Sequence, residues 1–230
     1  MHGNIFFIYP VPAVPVARAR GIAQLRRHVP CPTSYSVTGT ILLARHATTA
    51  DVGRRLSGRA PIPLSPDGLA EAKRLAERLA NVPLAAIHTS PLARAAQTAQ
   101  AVAAQTGAPV IQATALNEID FGGWTGRTFA ELAGDPEWDR WNRTRAAAQP
   151  PGGETMAAAA ARAVAHIQGI RADGPVLCVT HCDIIRAVVA RYLGMPMNNL
   201  LRFDCDPASL TTIVLVPGGA RVVALNERAA

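Results

Sequence analysis

Aromatic side chains make up only 5% of the 230 residues, and no run that mixes them with basic residues offers a surface for stacking bases. Cysteine is scarce too: Cys31, Cys178, Cys182 and Cys205 form neither a C-x-x-C pair nor a zinc-ribbon spacing. A reducing, cytoplasmic setting is the simplest consequence. No stretch of about 20 apolar residues exists, so no membrane span is expected. The order of a secretory leader is missing as well, because the apolar run from Ile5 to Ala17 precedes its arginines and is broken by Pro10, Pro12 and Pro15. His181, Cys182 and Asp183 look ligand-like, but three consecutive side chains do not converge on one ion, so no metal and no cofactor are expected.

The formal charge of +7 is concentrated at one end. Residues 1–40 hold Arg18, Arg20, Arg26 and Arg27 and no acid, which leaves 19 basic against 16 acidic residues, or +3, for the rest. That balance is too mild to argue for a nucleic-acid partner. Hydrophobic residues at 49% and charged residues at 17% fit a soluble globular chain long enough to bury a full core. We read residues 1–38 as a disordered or loosely attached extension, and 39–230 as one catalytic domain. Nothing in the pattern specifies an oligomeric state.

Thr40-Ile-Leu-Leu-Ala reads as a short buried strand that runs into Arg45 and His46, then into a loop ending near Arg59. Ligands in open parallel sheets bind beyond the carboxyl ends of the strands. His46, with an unperturbed pKa of about 6.5, can attack a substrate at neutral pH, and the cation beside it lowers that pKa further. Downstream, Ser65-Pro66-Asp67 starts a helix whose apolar face carries Leu69, Ala72, Leu75, Ala76 and Leu79. Residues 83–88 form the next strand. Ser90-Pro91 repeats the cap-and-proline start, which puts Arg94 in the first turn of the following helix, where backbone amides favour an anion.

Residues 109–113 make a third strand, and Glu118 and Asp120 are both candidate acids in the glycine- and aromatic-rich loop behind it. Trp138 and Trp141 serve core or lid packing, and a long alanine-rich helix starts at Glu154 or Thr155. The strand Pro175–Thr180 ends at His181, so a second histidine stands between a strand end and a helix start. Residues 210–216 and 221–225, joined by Pro217-Gly218-Gly219, complete the sheet. Alternating strands and helices imply parallel pairing with helices on both faces, a three-layer α/β/α fold with a mostly parallel sheet.

Five separated motifs resemble those of the histidine phosphatase superfamily, the phosphoglycerate-mutase-like fold. They are Leu43-Ala-Arg45-His46, Arg55-Leu-Ser-Gly58, Ser90-Pro-Leu-Ala-Arg94-Ala-Ala-Gln-Thr98, Leu116-Asn-Glu118 with Phe121-Gly-Gly-Trp-Thr-Gly126, and Val179-Thr-His181. The resemblance implies a metal-independent phosphomonoesterase acting on a small phosphorylated metabolite. It implies that His46 attacks phosphorus, that Arg45, Arg94 and His181 surround the phosphoryl oxygens, and that Glu118 is the proton donor. Arg55, Ser57 and Gly58, with Arg59 beside them, match the loop that holds the phosphate.

Ala47-Thr48-Thr49 replaces the family's Gly-Glu-Thr, which weighs against a phosphoglycerate-type mutase, the alternative enzyme reading. A non-catalytic phospho-ligand binding module is the alternative from another class. Asp183, at a helix start, is expected to point away from the phosphate.

Overall fold

The structure is a computed structural model that describes residues 38–228. The extension read over residues 1–38 therefore lies, but for its last residue, outside the described residues. Six strands form one sheet: β1 (Gly39–Arg45), β2 (Ala86–Thr89), β3 (Val110–Gln112), β4 (Val176–Thr180), β5 (Leu210–Val216) and β6 (Gly219–Glu227). Their spatial order is β3-β2-β4-β1-β5-β6. The first four pair in parallel, whereas β5 runs antiparallel to β1 and makes a hairpin with β6. The helices are α1 (Pro66–Leu79), α2 (Ala93–Thr106), α3 (Phe129–Leu132), α4 (Pro136–Arg143), α5 (Met156–Gly169) and α6 (Cys182–Leu193).

Strand alternation divides the interior in two. Ile41 and Leu43 of β1, with Val176 and Cys178 of β4, pack into a core shared with α5 and α6. Ala44, Leu177 and Val179 face the other way, onto α1 and α2. Both central strands are thus apolar on both faces, as parallel strands covered on two sides must be.

Caps fix the helix starts. Ser65 accepts from the Gly68 amide with Pro66 behind it, and Thr155 accepts from the Ala158 amide. The expected Ser90 cap is not there: α2 begins at Ala93 after Leu92 with no side-chain cap. Ser90 Oγ stands further back, where it accepts from the Leu92 amide and serves the site described below. Leu69 also departs from its expected face; it is 54% exposed, and Gly68 takes the buried position. A Cβ on Gly68 would strike the Thr48 carbonyl, so α1 enters directly against the loop that follows His46.

Two further glycines hold the loop carrying Glu118. Gly122 has φ +51°, and a Cβ on it would strike the Pro151 carbonyl; one on Gly153 would strike Asp120 O. The two loops approach backbone to backbone, with Gly123 N donating to Pro151 O and Glu154 N to Asp120 O.

Candidate active site

β1 and β4 are neighbours, and each ends in a histidine. Arg45 is paired with Thr180 at the end of the ladder, and the His46 amide donates to Thr180 O at 2.9 Å. The two rings consequently lie with centroids 5.1 Å apart, tilted by 58°. His46 Nδ1 sits 2.7 Å from Ala47 O, so it carries the proton. Arg94 Nε donates to His46 Nε2 at 3.2 Å, so that nitrogen presents its lone pair. These two bonds fix one neutral tautomer. Burial holds the His46 pKa well below 6.5, reinforced by Arg45 and Arg94 and only partly opposed by the Ala47 carbonyl.

His181 is fully buried. Its Nε2 lies 2.9 Å from Ser90 Oγ, whose single proton goes to Asn117 Oδ1 at 2.8 Å. Nε2 is therefore the protonated nitrogen, and the shielded Nδ1 has no partner among the described residues. Burial again depresses the pKa, followed by His46 and the nearby arginines.

Arg94 is 1% exposed in the first turn of α2. Its Nη1 and Nη2 donate to Ala60 O at 3.0 Å and Gly58 O at 2.7 Å, which clamps the loop of residues 57–60 beside His46. Burial lowers its pKa, against an opposing pull from Glu118. Arg45 Nη1 donates to Cys205 O at 2.6 Å, while its shielded Nε has no partner.

Glu118 is 8% exposed and its Oε1 accepts from the Ile119 amide at 3.0 Å. Burial, then repulsion from Asp183 and Cys182, pushes its pKa from 4.5 to about 8, so the carboxyl is protonated at neutral pH. Asp120, the other candidate acid, is not a counterpart. It pairs with Arg59 at 3.4 Å and accepts from the Gly122 amide at 2.9 Å in a more exposed place.

Arg45, His46, Arg55, Ser57, Gly58, Arg94 and Glu118 help to line an open cavity of about 280 Å³, whereas His181, expected to surround the phosphoryl oxygens, is wholly buried behind His46 and is not part of its wall. Phe121, Phe129 and Trp138 form its aromatic part. Trp138 is thus a cavity wall and Trp141 a fully buried core residue.

Two expectations change. Arg59 does not line the cavity; its Nε donates to Glu118 O at 3.2 Å and its Nη2 meets Glu154 at 3.1 Å, so it holds the Glu118 loop from behind. Asp183 faces inward, not away, because Arg145, 38 residues earlier, meets it at 3.0 Å and neutralises it at the cavity wall.

Sequence reasoning also missed Arg162, whose guanidinium donates to Ala115 O, Glu118 O and both oxygens of Glu154. Its position on the alanine-rich α5 was the only signal. Among the described residues, no cluster of three or more metal-ligating side chains occurs and no helix is long and apolar enough to cross a membrane.

Chemically, a neutral imidazole lone pair, a protonated carboxyl and several guanidiniums share one concavity. Such a set can attack an electrophile that carries anionic oxygens and protonate the group it expels.

Similarity to known proteins runs along most of the described residues. Residues 41–228 match the profile of the histidine phosphatase superfamily (branch 1). The chain is 31% identical over 193 residues to the adenosylcobalamin/α-ribazole phosphatase of Salmonella typhimurium, covering 81% of this chain and 96% of that protein. It is 32% identical over 180 residues to phosphoserine phosphatase 1 of Hydrogenobacter thermophilus, covering 75% and 85%. Among solved structures, YhfR of Bacillus stearothermophilus superposes with a TM-score of 0.77 at 32% identity, covering 82% of this chain and 97% of that one.

Proposed function

The chain belongs to the histidine phosphatase superfamily, and from that premise we propose that it is a phosphomonoesterase working through a phosphohistidine on a small phosphorylated metabolite. Arg94 Nε turns from His46 Nε2 to a phosphoryl oxygen when the ester enters, which frees the lone pair. Nε2 then attacks phosphorus in line, the ester P–O bond breaks, and Glu118 gives its proton to the departing oxygen. In the second half, Glu118 takes a proton from a water that attacks the phosphohistidine. The P–N bond breaks, inorganic phosphate leaves and both residues return to their starting states.

Charge in the loose transition state spreads over three oxygens. Arg45 and Arg94 are the cations available to meet it; when the dianion enters, its charge favours a proton taken up from solvent at the unpartnered His181 Nδ1, which is returned to solvent when phosphate leaves. Each cation at about 4 Å contributes on the order of 4 kcal/mol before desolvation, at an effective dielectric near 20. That charge supplies what a metal would otherwise bring. Arg55, Ser57 and Gly58 flank the phosphate, and Arg59 acts only by holding the Glu118 loop.

One observation carries the reading: at neutral pH His46 presents a bare Nε2 while Glu118 keeps its proton, the opposite protonation states that attack and departure require. His46→Ala tests it. Turnover of p-nitrophenyl phosphate should fall by a factor of about 10³ or more, and acid-labile phosphate trapped on the wild-type chain should vanish in the variant. Near-equal rates, or label retained on the variant, would remove His46 from the reaction.

A further inference from the structure

Five arginines line the cavity: Arg45, Arg55, Arg94, Arg145 and Arg186. Asp183 removes one of their charges, and Glu118, being protonated, removes none. The Cys182 thiol at the cavity wall is drawn down to about 6, by Cys205 first and then by Arg45 and Arg186, so at neutral pH it offsets one more of these charges. Even so, the wall keeps three positive charges against the two negative charges of a phosphate monoester. One cation more than the reacting phosphate uses is held in the site.

The surplus has an address. Arg94 already donates three of its five N–H groups, to Gly58 O, Ala60 O and His46 Nε2, and is committed to the reacting phosphate; Arg145 is paired with Asp183 and also donates to Asn142 Oδ1 at 3.1 Å; Arg55 donates to Gly126 O at 3.0 Å and is exposed. Arg186 has no such contact; Cys182 and Asp183 act on it through their charge alone and leave its donors unmade. It makes no hydrogen bond and no ion pair with any described residue, and its Nε is wholly shielded from solvent. It shares one face of α6 with Cys182 and Asp183, which border the same cavity. A guanidinium carries five donors in a fixed fork that matches a carboxylate or phosphate two at a time. Leaving the shielded Nε of Arg186 unpaired is costly. The shortfall closes when an oxyanion enters.

We propose that Arg186 is a second anion subsite and that the preferred substrate is a phosphate ester whose leaving group carries a further oxyanion. This rests on the phosphomonoesterase reading and names the substrate class for it. Arg186 acts on the leaving group and not on phosphorus, so its effect falls mainly on KM.

The test compares 3-phosphoglycerate with glycerol 3-phosphate, which differ at a carboxylate and a hydroxymethyl group, and adds propane-1,3-diol bisphosphate to ask whether a phosphate serves as well. For the wild-type chain, kcat/KM for 3-phosphoglycerate or for the bisphosphate should exceed that for glycerol 3-phosphate by about tenfold or more, as expected for charge-assisted hydrogen bonds. In Arg186→Met the preference should shrink to below about threefold, with Arg186→Lys in between because the charge survives without the fork.

A wild-type preference that persists in Arg186→Met overturns the proposal, as does a wild-type ratio near one for both anionic esters. Hydrolysis of p-nitrophenyl phosphate, in contrast, tests the phosphatase reading alone. Should no ester be turned over, calorimetric binding of 3-phosphoglycerate and glycerol 3-phosphate to wild type and Arg186→Met decides the subsite by the same ratios.

Discussion

Glu118→Gln should damage activity and strengthen the fold at once. The amide is nearly isosteric with the protonated carboxyl and keeps the oxygen that accepts from the Ile119 amide. It can neither give up nor take a proton, so turnover of esters with poor leaving groups should fall by about 10²–10⁴. Stability moves the other way. The carboxyl has an ordinary value of 4.5 and about 8 when folded, so the native state binds the proton more tightly than the unfolded chain. That contribution is complete below 4.5 and is lost as pH rises through 8.

Roughly 3.5 units correspond to about 5 kcal/mol as a ceiling. The cavity is open and an ionised Glu118 can recruit water, so about 2 kcal/mol is a fair expectation, or some 4–8 °C in Tm for a domain of this size. Thermal melts of both chains between pH 4 and pH 9 read this directly. The variant should match wild type near pH 4 and gain steadily up to pH 8. A Tm difference that does not change with pH, or a variant less stable at pH 9, would refute the raised Glu118 pKa and with it the proton-donor role.

Asp183→Asn removes a repulsion that helps keep Glu118 protonated, so the alkaline limb of kcat/KM should move to lower pH; an unmoved limb would remove Asp183 from that role. The same change strands Arg145 and should cost about 3–5 kcal/mol in denaturant melts, most of it recovered when Arg145→Gln is added. Iodoacetamide at pH 7 should label Cys182, drawn to about 6, well before Cys178, which burial pushes up to about 12. Inorganic phosphate should slow that labelling, and peptide mapping that finds Cys178 first would contradict the assignment.

How much of this could be read from the chain depends on how far apart the partners are. His46, His181 and Arg94 were legible because each stands at a strand end or a helix start, and strand–helix alternation is a local pattern. The three-layer fold followed from the same alternation, and β5 and β6 are the strands that make it mostly, not wholly, parallel. Residue type and spacing did not choose between Glu118 and Asp120; only the resemblance of Leu116-Asn-Glu118 to the family motif named Glu118. Two residues apart in one loop, they differ only in what the folded chain brings to each: burial for the first, Arg59 and the Gly122 amide for the second. Asp183 was expected to face outward because its neutraliser, Arg145, lies on a different segment, and no pattern connects them. Ser90 looked like a cap by composition, but the hydroxyl can satisfy Leu92, Asn117 and His181 together and is used there. Arg59 sat beside the phosphate loop in sequence, and the carboxylates of Asp120 and Glu154 drew it to the far side of Glu118.

The two imidazoles take their separation from the hydrogen-bonded ladder between β1 and β4, not from the side chains packed around them. Neighbouring strands keep a spacing of about 4.8 Å whatever fills the layers above and below. Trimming Leu43 or Val179 should therefore lower the melting temperature while leaving the gap between the rings as it was. Catalytic geometry and thermal resilience become separately adjustable, and the chain can accumulate core changes without retuning its chemistry until a substitution shifts the register itself.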